Sequence, residues 1–181
     1  MVMKYKLVAC MATMPSRAHT APIAIKSLVN QFDEFYLVLN NFKEVPEWAN
    51  IRGVIPILPK ICLDYGAAGK FLALSFLNLV DDAIFYCVDD DVLYPADFAR
   101  RLAVFLSSNK KSVVGVHGSV ILPYFKSWRQ DRKIYCADKR LLIKKKVDVI
   151  ATNGCAFFAN ALCVCPEKWP KKYKNCVDLF F

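Results

Sequence analysis

Phe85-Tyr86-Cys87-Val88-Asp89-Asp90-Asp91-Val92-Leu93-Tyr94-Pro95 joins an apolar run to three successive carboxylates and then to a proline that opens a helix. The branched and aromatic content of the first half predicts a buried strand. Adjacent carboxylates repel one another, so a folded chain that keeps three together commonly uses them to bind a cation. Hard divalent ions choose oxygen ligands, and Mg2+ takes one or two carboxylates while leaving positions open to water and to phosphates. Mg2+ or Mn2+ with a diphosphate is therefore the chemistry expected just past this strand. The competing reading is a solvated acidic turn that caps the helix at Ala96.

Apolar runs of the same kind recur at Leu7 to Met11, Phe35 to Leu39, Val54 to Leu58 and Val113 to Val116, with longer mixed segments between several of them. That rhythm predicts an α/β fold with a largely parallel sheet. Ser16 is a helix-start signal, and Ile23, Ile25, Leu28 and Val29 give an apolar face to a helix ending near Gln31. Further helices are expected over Ala67 to Leu79 and over Ala96 to Leu106. The segment from Leu122 to Lys146, dense in charge, reads as irregular or hairpin structure. The last apolar stretch, Val147 to Ala159, is interrupted by Thr152-Asn153-Gly154, a turn or bulge signal. In open α/β sheets ligands sit beyond the carboxyl ends of the strands, which is where the three aspartates lie.

The chain has 181 residues and 56% hydrophobic content, enough for one domain with a substantial core and too much for a disordered protein. No apolar run reaches the roughly 18 residues a membrane span needs. Leu7-Val8-Ala9-Cys10 has the look of a lipoprotein signal, but a secretory signal needs about 7–15 apolar residues after its charged region, and only three stand between Lys6 and Cys10. A cytoplasmic protein is expected. The eight cysteines sit mostly inside apolar runs without CxxC spacing, as small buried hydrophobes do in a reducing compartment. The group Cys155, Cys163, Cys165 and Cys176 matches no zinc ribbon or finger pattern. The net charge of +9 is concentrated in the C-terminal third, at Lys139-Arg140, Lys144-Lys145-Lys146, Lys168, Lys171, Lys172 and Lys174. This balance favours polyanionic partners: nucleotide diphosphates, anionic lipid at the inner face of the membrane, or nucleic acid.

Taken in order, several short segments resemble the nucleotide-diphospho-sugar transferases of the GT-A fold, in particular small bacterial enzymes of glycosyltransferase family 2. They are Ala9 to Arg17, Ser27 to Gln31, Leu37 to Asn41, Gly66 to Phe71, the aspartate triplet, Val114 to Gly118, Thr152 to Gly154 and Val177 to Phe181. The resemblance spans nearly the whole chain and implies a GT-A, Rossmann-like, open and mostly parallel sheet flanked by helices. It implies a sugar transfer from a nucleotide diphosphate sugar, UDP-linked, to a saccharide or lipid-linked acceptor in cell-surface polysaccharide synthesis, assisted by Mn2+ or Mg2+.

Residue by residue, the resemblance gives Thr13, Pro15 and Arg17 a role at the nucleoside and its phosphates, Arg17 being suited to a bidentate grip on a diphosphate. Asn40 stands where many relatives carry an aspartate that holds the base; an amide both donates and accepts toward a uracil edge. Asp64 and Lys70 flank a glycine-containing turn whose free N–H groups suit an anion, with Lys70 as the nucleotide contact and helix capping as the other reading of Asp64. Asp89 is expected at the ribose or sugar, Asp91 together with Asp90 at the metal, and His117 as a further ligand or acceptor contact unless it is a structural histidine. Asp178 is expected to be the base that takes the acceptor's proton in an inverting transfer, against the reading that it only caps a helix.

Two other functions compete with this one. A nucleotidyltransferase shares such a sheet and cation, but the chain has no Gly-x-Gly-x-x-Arg signature after the first strand. A basic nucleic-acid-binding module would use the lysine clusters with Trp128, Trp169 and Tyr173. Relatives commonly continue past the late aspartate, whereas this chain stops at Phe181 on Leu-Phe-Phe. The expectation is one domain over 1–181 that lacks a C-terminal extension, or whose apolar end is covered by self-association.

Overall fold

The computed structural model describes residues 5–60, 64–77, 82–136, 143–162, 164, 169 and 177–179. The first part of the chain alternates strands and helical segments: β1 (Lys6–Thr13), α1 (Ala21–Leu28), β2 (Glu34–Leu39), β3 (Val54–Ile57), a run of 3-10 turns (Gly66–Phe76), β4 (Ala83–Val88) and α2 (Phe98–Ser107). Shorter strands follow as β5 (Val114–Gly115), β6 (Gly118–Ile121), β7 (Arg132–Tyr135), β8 (Val149–Ile150) and β9 (Cys155–Phe158). Six strands in the order β3-β2-β1-β4-β9-β5 form the main sheet, and β7-β6-β8 form a smaller one. β3, β2, β1 and β4 are parallel, while β9 runs antiparallel to β4 and β5. The architecture is thus mixed α/β with a mostly parallel main sheet.

Strand periodicity of two sends successive side chains to opposite faces, so a central strand covered on both sides is apolar throughout. Leu7, Ala9 and Met11 of β1 pack with Ile25 and Leu28 of α1 and with Leu102 and Leu106 of α2. Val8 and Cys10 pack on the other side with Phe71, Leu72 and Leu74. Cys10, Cys87 and Cys155 are buried free thiols, and burial pushes the Cys10 thiol up to about 12. Cys163, Cys165 and Cys176 lie outside the described residues. Among the described residues, no helix is long and apolar enough to cross a membrane.

Helix boundaries differ from expectation for identifiable reasons. The α-helix begins at Ala21, and Ser16 lies in a separate 3-10 turn, Pro15–Arg17. A helix started at Ser16 would put Pro22 in its interior, where the ring clashes with the carbonyl four residues back; starting at Ala21 puts Pro22 in the first turn, where no N–H is needed. Gly66–Phe76 is 3-10 rather than α-helical, and is buried from Ala68 to Leu74. Its apolar side chains surround the segment instead of lining one face, so no amphipathic stripe favours the 3.6-residue period. Gly69 lets it lie close against the sheet: a Cβ there would stand 3.2 Å from Val38 Cγ1. The stretch from Val147 to Ala159 divides between the two sheets, turning at Gly154, whose φ is +142°.

From β1 the chain steps outward to β2 and β3, then returns to place β4 on the other side of β1. Connections leave in opposite directions at this point, which opens a crevice at the carboxyl ends of β1 and β4. Thr13 ends β1 there and Asp89 follows β4. Beyond the triplet, Ser27 Oγ accepts from the Tyr94 N–H (3.3 Å). Gln31 donates to the Pro95 carbonyl (2.9 Å) and accepts from the Ala99 N–H (3.1 Å). These side chains fix the segment that carries the aspartates into α2.

Candidate functional site

The crevice is a cavity of about 560 Å3. Of the residues expected at a site, Thr13, Arg17, Asn40, Lys70, Asp89, Asp90, Asp91, His117 and Asp178 all line it; Pro15 and Asp64 do not. Pro15 is exposed at the start of its 3-10 turn. Asp64 Oδ1 accepts from the Gly66 N–H at 2.8 Å, an Asx-type turn that stabilises the entry to the 3-10 run.

The three consecutive aspartates engage three different partners. Asp89 pairs with Lys70 Nζ. Asp90 Oδ2 accepts from Thr13 Oγ1 at 2.7 Å, tying the end of β1 to the residues after β4. Asp91 Oδ2 lies 3.0 Å from Arg17 Nη1, and its side chain, 38% exposed, is the most open of the three. Burial pushes the Asp90 carboxyl above its ordinary value. The Thr13 hydrogen bond and Arg17 pull it back, and Asp91 and Asp89 add to the rise. Among the described residues, no three His, Cys, Asp or Glu side chains converge as a ready-made metal cage.

Lys70 is only 4% exposed. Burial alone would lower its pKa, but the charge and hydrogen bond of Asp89 override this and hold it above its ordinary value. It is a cation held in the cleft floor by a carboxylate. Lys70 Nζ also lies 3.5 Å from Thr152 Oγ1. Thr152 in turn donates to Asp178 Oδ1 from its main-chain N–H (2.8 Å) and its hydroxyl (3.0 Å). Asp89, Lys70, Thr152 and Asp178 therefore form one polar chain along the cleft floor, and Asp178 Oδ2 has no partner among the described residues.

Asn40 is buried, and its amide is engaged at both ends by the 65–66 backbone, donating to the Gly66 carbonyl (2.9 Å) and accepting from the Tyr65 N–H (3.3 Å). His117 sits between β5 and β6, half-buried, with its carbonyl accepting from the Ala151 N–H. Tyr94 accepts from the Asp89 N–H (2.9 Å) and donates to the Asn153 carbonyl (3.0 Å), bridging the triplet to the turn after β8. Burial raises the Tyr94 pKa, which keeps that donor protonated.

Sequence reasoning did not assign roles to Tyr94, Ser119, Arg132, Thr152 or Asn153. Thr152 and Asn153 carried a signal, the turn motif before Gly154, which indicated a bend but not what the bend would hold. Arg132 carried none beyond the charge density of its segment. No family model matches the chain, and no curated protein matches it significantly.

Proposed function

We propose that this protein is a glycosyltransferase of the GT-A type, which transfers a sugar from a UDP-linked donor to a saccharide or lipid-linked acceptor with inversion. The observation that carries the reading is the convergence, in one switch-point crevice, of Thr13 and Arg17 after β1, Lys70, the triplet after β4, and Asp178 from the far end of the chain. A diphosphate needs cations, and Arg17 and Lys70 line this crevice.

Oxygen donors at the triplet fit a hard divalent ion, with Asp91 as the most open carboxylate and Asp90 and His117 beside the same cavity. When bound, Mn2+ or Mg2+ supplies Lewis-acid stabilisation of the departing diphosphate. Asp178 is oriented through Oδ1 by its two bonds from Thr152, which leaves Oδ2 to take the acceptor hydroxyl's proton. Lys70 stabilises the negative charge of Asp89 and supports Thr152. The nucleic-acid reading has less behind it: Trp169 packs edge-on against Phe71, and Trp128 lies under Arg132.

The test is thermal-shift titration with UDP, GDP, CDP and dTDP, each with and without Mn2+. Metal-dependent stabilisation by UDP, lost in Asp91→Ala, is expected. A flat response to all four nucleotides refutes the proposal.

A further inference from the structure

Two buried side-chain polar atoms lack a hydrogen-bond partner among the described residues, Arg132 Nε and Asn153 Oδ1, and both residues line the cleft. A buried donor or acceptor left unpaired costs free energy unless water or an incoming group completes it, and in a cleft a ligand's polar group can take that place. One of these atoms is a charged donor and the other a neutral acceptor.

Arg132 projects from β7, in the small sheet. Its guanidinium stacks on the Trp128 ring with Cζ 4.0 Å from the centroid. Nη1 donates to Ser119 Oγ at 3.3 Å. Stacking on an aromatic face and a tether at Nη1 fix the plane of the group, so little side-chain entropy remains to be lost on binding. The Nε–Nη2 edge is left over, and that edge matches a carboxylate or phosphate through two parallel hydrogen bonds. Arg17 and Lys70, the other Arg and Lys side chains of the cleft, already hold Asp91 and Asp89. Arg132 is in none of the ion pairs among the described residues.

The geometry points to Arg132 as the anchor for an acidic saccharide, with Asn153 Oδ1 accepting from one of its hydroxyls. A ligand that satisfies both orphan atoms must carry an anionic group and a neutral donor together. Arg132 comes from the small sheet, whereas the residues assigned to the nucleotide follow β1 and β4, so the anionic sugar is assigned to the acceptor, an assignment that rests on the glycosyltransferase reading above. A carboxylate and a phosphate ester share the required chemistry.

The test follows the Nε–H signal of Arg132 by NMR in the full chain labelled with 15N-arginine, the signal being identified by its loss in Arg132→Lys. Glucuronate, glucose 6-phosphate and neutral methyl glucoside are titrated in turn, then UDP with Mn2+. The signal is expected to move with one or both acidic sugars and to stay with the neutral one, the response to each distinguishing carboxylate from phosphate. Arg132→Gln, shown folded by its melting transition, is expected to bind the responding sugar about tenfold more weakly. A signal that stays with both acids, or moves only with UDP, overturns the proposal. Failure of the nucleotide titration while the acidic sugars still move Arg132 removes the acceptor assignment and leaves the anionic saccharide site intact.

Discussion

Breaking the Lys70–Asp89 pair from one side should cost much more than breaking it from the other. Lys70 is 4% exposed and the Asp89 side chain 29%. Asp89→Asn leaves a buried ammonium without its counter-charge, held only by a neutral amide oxygen and by Thr152 Oγ1 at 3.5 Å. Removing one partner of a buried pair costs about 3–5 kcal/mol, and the lower end applies because the amide oxygen still accepts a hydrogen bond. Lys70→Met leaves a carboxylate that water reaches, for a loss of about 1–2 kcal/mol. In urea, with a slope of about 2 kcal/mol/M, these become midpoint shifts of about 1.5 M and about 0.5–1 M. The double variant should cost less than the sum of the two. Titration gives a second readout. In the parent, Asp89 holds the Lys70 pKa up, so the contribution is complete at neutral pH and is lost only as pH rises through that elevated value. In Asp89→Asn both Asp89 contributions are gone and burial, the largest cause, outweighs the smaller effects of Cys87 and Cys155 and lowers the Lys70 pKa, so the fold binds fewer protons than the unfolded chain and stability rises with pH toward the ordinary lysine range. Equal costs for the two single variants, strict additivity, or a pH-independent Asp89→Asn defect would refute the reasoning.

Asp90→Asn should melt above the parent at pH 7 in metal-free buffer. Burial raises the Asp90 pKa, so its protonated form favours the fold at low pH and that contribution is lost as pH rises through the folded value; a gap that does not close on acidification contradicts this. Thr152→Val removes the hydroxyl shared with Asp178 and Lys70 and should cost about 1–2 kcal/mol in urea melts while leaving UDP affinity unchanged. Gly154→Ala should lose about 2 kcal/mol, because φ is +142° and a Cβ would stand 2.7 Å from Val116 Cγ2; a neutral melting temperature would show that the turn relaxes freely.

Local chemistry made much of this protein legible in advance. Apolar strands, their α/β rhythm and the carboxylates past β4 are properties of short segments, and the rule that ligands bind at carboxyl ends of strands located the crevice without any coordinates. The polar residues of the first helix region were quoted only as a motif; that Ser27 and Gln31 brace the triplet segment needed the packing of α1 beside α2. Ser16 is a local start signal, but Pro22 fits only the first turn of a helix, so the helix begins at Ala21.

Which side chain each carboxylate faces was decided by tertiary structure. Asp89, Asp90 and Asp91 are identical in composition and adjacent in sequence, yet one faces a buried lysine, one a threonine from β1 and one an arginine beyond it. Each difference comes from residues 19 to 77 positions away in the chain, and a pattern of types along a sequence carries no information on which distant side chain a turn will face. Arg132 and Asn153 are the clearest case. Their residue types were readable at once, but the absence of a partner among the described residues exists only after every neighbour has been placed.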